Sequence, residues 1–104
     1  MLTRIRPGDE DVTIIVVSGT GAVTFDMLGD LKQMVFTAPS GPATFNWALT
    51  DRTGQGIDAG NNVAANLEAV VDVSDQLNGT TTLTLTNVDV NGSWPVRLRF
   101  ERGI

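Results

Sequence analysis

Ser93-Trp94-Pro95-Val96-Arg97-Leu98-Arg99-Phe100-Glu101 alternates without a break. On an extended chain Trp94, Val96, Leu98 and Phe100 share one side, and Pro95, Arg97, Arg99 and Glu101 share the other. This is the period-two pattern of a strand with one face on a core and one in water. A helix would scatter the same four apolar residues around its axis. Trp94 heads the apolar row, which places its ring in the core. Pro95 has no N–H for a ladder, so it marks a strand start or an edge.

Upstream, Leu83 and Leu85 alternate with Thr82, Thr84 and Thr86, and Asn91-Gly92 lies between the two runs. A two-residue turn there would pair Leu85 with Leu98 and Leu83 with Phe100, apolar on apolar. Nearer the tip the same register sets Asn87 against Val96 and Asp89 against Trp94. That conflict favours a longer connection, from Asn87 to Ser93.

Further out, Phe45, Trp47 and Leu49 alternate with polar or small residues behind the turn Pro39-Ser40-Gly41-Pro42. Leu67, Ala69, Val71 and Val73 give another strand, Val23 with Phe25 another, Leu31 to Thr37 another, and a short one surrounds Ile57. Val12 to Val17 is nearly all apolar and reads as a central strand covered on both sides. Gly19-Thr20-Gly21 lacks the Gly-Lys-Ser/Thr ending of a phosphate loop and reads as a hairpin turn. A helix over residues 61–71 is the one competing assignment. The expectation is a single all-β domain, a β-sandwich or jelly roll of about eight short antiparallel strands.

Composition narrows the chemistry. The 104 residues fit one domain. With no cysteine and no histidine, thiolate metal sites, disulfides and a Ser-His relay are excluded. Twelve acids against seven bases, a net charge of −5, argue against free nucleic acid as a partner. The longest apolar run, Ile14 to Val17, is far too short to span a membrane. Residues 1–6 lack the apolar core of a signal peptide.

Candidate sites are few. Asp9-Glu10-Asp11 lacks the spacing of a calcium loop and reads as a solvated loop. Asp51, Asp58, Glu68, Asp72 and Asp75 offer many carboxylate pairs, none singled out by spacing. Asn78-Gly79-Thr80 and Asn91-Gly92-Ser93 match the glycosylation pattern but read as turns. Trp47 and Trp94 would serve a sugar platform only if exposed, and both fall on apolar strand faces. No catalytic residue, cofactor or metal ligand is expected. The bases segregate: Arg4 and Arg6 near the start, Arg97, Arg99 and Arg102 near the end. Adjacent terminal strands would gather them into a partner-binding strip. A solvated face whose arginines pair with Glu101 and nearby acids has the same sequence.

Asn91-Gly92-Ser93-Trp94-Pro95-Val96-Arg97-Leu98 resembles the closing strand of many jelly-roll domains. The whole chain, free of cysteine and rich in Thr, Asn and Gly, is similar in character to small virion proteins of tailed bacteriophages, capsid cement (decoration) proteins among them. That resemblance implies a non-catalytic structural protein on the capsid exterior, made in the bacterial host cytoplasm. Its partner would be the major capsid protein, and it would be a homo-oligomer. A carbohydrate-binding β-sandwich is the first alternative, and a small tail, adaptor or baseplate component the second.

Overall fold

A computed structural model describes residues 8–101; Arg4, Arg6 and Arg102 lie outside them. Six strands account for most of the chain: β1 (Gly8–Val16), β2 (Gly21–Thr37), β3 (Ala43–Asp51), β4 (Gly56–Ala65), β5 (Glu68–Thr86) and β6 (Gly92–Glu101). They form one curled sheet in the order β1-β6-β2-β5-β3-β4, and every neighbouring pair is antiparallel. No helix among the described residues is long and apolar enough to cross a membrane.

β2 and β5 make the sheet into a sandwich. They pair along their whole length, from Gly21 opposite Leu85 to Thr37 opposite Glu68, with a bulge between Leu31 and Gln33. β6 joins β2 only over Asp30–Phe36, and β3 joins β5 only over Thr81–Thr86. One half of the ribbon thus carries β6 and β1, and the other half carries β3 and β4. The two layers close on a shared core. Phe36 of β2 lies 4.8 Å from Phe45 of β3, and Phe45 lies 5.1 Å edge-on to Trp94 of β6. Trp94 is fully buried, and its Nε1 donates to the Val90 carbonyl at 2.9 Å, which removes the cost of hiding an N–H.

The all-β expectation holds, with six strands among the described residues in place of about eight. Val23–Phe25 and Leu31–Thr37 are parts of β2, and Leu67–Val73 and Leu83–Leu85 fall almost wholly within β5. The strands run through Gly29 and Asn78-Gly79: Gly29 (φ 148°) and Gly79 (φ 121°) sit inside them at positive φ. Residues 61–71 are the end of β4 and the start of β5, not a helix.

β5 and β6 do not pair with each other. Residues 87–91 instead carry the chain from one layer to the other, so the longer connection is the observed one. Its ends are fixed by local bonds. Val88 N donates to Gly19 O at 3.1 Å, Gly19 N to Asn91 Oδ1 at 2.9 Å, and Thr44 N to Asp89 Oδ1 at 2.9 Å. Gly19 belongs to the expected tight turn, Val17 to Thr20, with Ser18 and Gly19 both at positive φ.

β1 is an edge strand, not a central one. Ile14 and Val16 are buried, while Ile15 and Val17 are 58% and 67% exposed. A continuous apolar run fits two buried faces or one buried and one bare face equally well, and pattern alone does not separate them.

Candidate functional site

The outer face of the β1-β6-β2-β5 layer carries a polar relay that crosses all four strands. Alternation on β6 turns Arg97 and Arg99 outward, and antiparallel pairing sets Asp11 beside Arg97 and Asp9 beside Arg99. Arg97 Nε donates to Asp11 Oδ1 at 2.9 Å and Nη2 to Oδ2 at 3.4 Å. Its Nη1 lies 3.8 Å from Asp9 Oδ2. Arg99 Nε donates to Asp9 Oδ1 at 3.4 Å, and its Nη1 to Gln33 Oε1 at 3.2 Å. Gln33 Nε2 then donates to Asp72 Oδ1 on β5 at 2.9 Å.

Each link is exposed, so each ion pair alone adds little stability. What the relay supplies is order, because every planar group is held by its neighbour. The guanidinium of Arg97 holds the Asp11 carboxyl below the usual carboxylate range, through its hydrogen bond first and its charge second. The same bond raises Arg97.

A groove of about 600 Å³ lies along this relay. Asp11, Gln33, Glu68, Arg97 and Arg99 line it with polar groups, and Val35, Val70 and Pro95 with apolar ones. Its charged lining is balanced, two acids and two bases. Among the described residues no group of three or more acids could hold a metal ion.

The terminal strands do lie side by side, and Arg97 and Arg99 face solvent as alternation requires. Both meet acids of β1. Glu101 instead pairs with Lys32, at 3.4 Å. Asp9 and Asp11 were expected in a loop; they lie on β1, facing the two arginines. Asn78-Gly79-Thr80 is strand, not turn. Trp94 is fully buried and Trp47 is 5% exposed, so neither offers a stacking platform.

One carboxylate pair is singled out by the fold alone. Asp58 of β4 and Asp75 of β5 approach each other from strands that do not pair. Asp75 Oδ2 is buried and meets no donor from the rest of the described chain. Burial, then the hydrogen bond to Asp58 and its charge, raises the Asp75 carboxyl to about 6. Seventeen positions of sequence gave no signal of this contact, because it depends on the curl of the sheet.

No protein-family model matches the chain, and no curated protein matches its sequence. Solved structures do match in shape. A fucose binding module from Streptococcus pneumoniae aligns with a TM-score of 0.55 at 8% identity, over 81% of this chain and 68% of that one. The pre-peptidase C-terminal domain of a Bacillus anthracis collagenase aligns at 0.52 and 15% identity, over 91% and 89%. A Podospora anserina GH26-CBM35 β-(1,4)-mannanase aligns at 0.52 and 10% identity, over 95% of this chain and 29% of that one. At these identities the likeness is one of fold: the chain is a small β-sandwich.

Proposed function

We propose that this protein is a non-catalytic binding module whose groove on the β1-β6-β2-β5 face takes a carbohydrate chain. The observation that carries the reading is the relay along a groove of about 600 Å³, a size typical of small-ligand sites. Sugar hydroxyls both donate and accept in fixed directions. Guanidinium, carboxylate and amide groups match them in pairs. The relay holds those groups in place before a ligand arrives, so little side-chain entropy is lost on binding. With both tryptophans buried, the C–H faces of a sugar ring would rest on Val35, Val70 and Pro95. Two structures of similar fold, a fucose binding module and a mannanase bearing a binding module, agree with the reading.

The test is calorimetric titration with a panel of neutral oligosaccharides, comparing the parent with Arg97→Ala and Gln33→Ala. Each variant should weaken binding about tenfold or more, the size expected for a lost charged hydrogen bond. Binding by no member of the panel, or equal binding by all three proteins, overturns the proposal.

A second reading, a virion structural protein such as a capsid cement protein docking on the major capsid protein, is favoured by a different observation. Ile15 of the edge strand β1 and Val17 just beyond its end leave an exposed apolar strip. Ile15→Lys should then abolish sedimentation of the protein with capsids that lack it, while Arg97→Glu and Arg99→Glu should make that binding weaker and less salt-sensitive. Failure of the parent to load on any such particle removes this reading.

A further inference from the structure

The other outer face, on the β2-β5-β3-β4 layer, is nearly free of charge in a protein of net charge −5. Register builds it in rows. Thr24, Thr82 and Thr50 lie side by side on β2, β5 and β3. Ala22, Thr84, Ala48 and Ala59 form the next row, across all four strands. Thr86 and Asn46 begin a third, and Asn46 Oδ1 accepts from the backbone N of Asn62 at 2.8 Å. Thr24 and Thr82 hold their hydroxyls 2.9 Å apart. Asp26 borders the face and is bonded to Thr80 Oγ1 at 2.6 Å.

Nothing in the core asks for this pattern. The inward residues of β5 and β3 in these rows are Leu83, Leu85, Trp47 and Leu49, all buried. The outward ones are free to be charged, as they are on the opposite face. Small and β-branched residues instead cover it with short hydroxyl and methyl groups.

We infer that this face is a second binding surface, and that its ligand is the flat, uncharged, hydroxyl-bearing surface of an ordered polysaccharide. Charge selects the ligand: an uncharged face gains nothing from an ionic partner, and here it is the part of an acidic protein that an uncharged ligand meets most easily. Geometry selects order. Outward residues recur about every 7 Å along a strand and about every 4.8 Å across strands, so one contact repeats in register on a periodic surface. Size argues against a protein partner. The nine residues of these rows cover roughly 300 Å² at that spacing, well under the roughly 800 Å² per partner of a stable protein interface. The inference deepens the carbohydrate reading and rests on it for the class of ligand, but not for the groove.

The experiment measures two things for each protein: pelleting with microcrystalline cellulose and with crystalline chitin, and calorimetric binding of the panel of soluble neutral oligosaccharides, those of the same two polymers included. The parent should pellet with at least one polymer. Thr84→Lys and Thr50→Lys should reduce pelleting at least tenfold and leave any soluble binding unchanged. Thr82→Val keeps the shape, removes one hydroxyl and should weaken pelleting about threefold, with the melting temperature confirming the fold of all three. Arg97→Ala should show the reverse, keeping pelleting and losing soluble binding. A parent that does not pellet, or lysine variants that pellet as the parent does, overturns the inference. Pelleting that depends on the threonines, without soluble binding by the parent, upholds it and removes the groove reading instead.

Discussion

Glu68, Val70 and Asp72 face outward near the start of β5, and Thr80, Thr82 and Thr84 face outward near its end. The first set belongs to the grooved, charged face and the second to the uncharged one. Both are even-numbered positions of one continuous strand, so local backbone preference does not separate them. Their neighbours do. Glu68, Val70 and Asp72 sit beside the half of β2 that carries β6 with its arginines, whereas the threonines lie between β2 and β3. Inner faces must satisfy packing, and they are alike in both layers. Outer faces are released from packing, and there the two layers diverge.

If the layers share one core, a cavity in that core should take both faces down together. Trp94→Ala should cost about 3–5 kcal/mol and give a single urea transition by both fluorescence and circular dichroism. Two separated transitions, or a loss below about 1 kcal/mol, would mean that each layer holds itself.

A lesion confined to the threonine layer tests the comparison from one side. Gly60 on β4 lies against the Trp47 indole, and a Cβ there would collide with Nε1. Gly60→Ala should therefore destabilise by about 1–3 kcal/mol through overpacking. At low denaturant it should leave oligosaccharide binding in the groove unchanged. A neutral effect on stability would show that β4 yields to the ring.

Acidity probes the space between the layers. The folded Asp75 carboxyl lies at about 6, above the ordinary 3.8. Its contribution to stability is thus full below about pH 4 and lost as pH rises past 6. Asp11 and Asp51 are shifted downward, Asp51 chiefly by its bond from Thr53. Their contributions are present above the ordinary carboxylate value and lost as pH falls below it. Melting should therefore be higher at pH 5 than at pH 7.5. Solvent screening holds the gain to the order of 1 kcal/mol. Asp75→Asn should flatten that difference; a difference that survives assigns it to other groups.

The smallest effect belongs to the charged face. Arg97→Ala should leave the urea midpoint almost unchanged, since the side chain and its partners are exposed. A clear drop in the urea midpoint would make the relay a support of the fold.

Strand character, the buried row of Trp94, Val96 and Leu98, and the tight turn at Ser18-Gly19 were all legible in the sequence, because each depends on residues adjacent along the chain. Partnerships were not. The Leu85–Leu98 register is consistent on paper, yet any two alternating strands match in that way, and β6 lies between β1 and β2 instead. Asn78-Gly79 reads as a turn because its residues favour turns, but eleven consecutive pairings with β2, from Gly21 to Leu31, carry β5 through it. Arg97 and Arg99 were legible as outward residues. Their meeting with Asp9, Asp11 and Gln33, and the approach of Asp58 to Asp75, come from pairing and curl.

The continuous β2–β5 ladder also sets an order of events in time. Its shortest loop closes at Thr37 and Glu68, and its longest at Gly21 and Leu85. The segment inside the shorter loop is the β3–β4 hairpin, whose turn is held by Asp51 Oδ1 accepting from Thr53 N at 2.9 Å and Gln55 N at 3.0 Å. Loop-closure entropy rises with length, so contacts inside a loop lower the cost of closing it. We expect the hairpin to form first, β2 and β5 to zip outward from Thr37 toward Gly21, and β1 to dock on β6 last. Pulse-labelled hydrogen exchange should protect β3 amides before those of β1; the opposite order would mean that the chain nucleates at its terminal strands. Because most pairings join distant residues, refolding belongs in the millisecond-to-second range of sandwich folds.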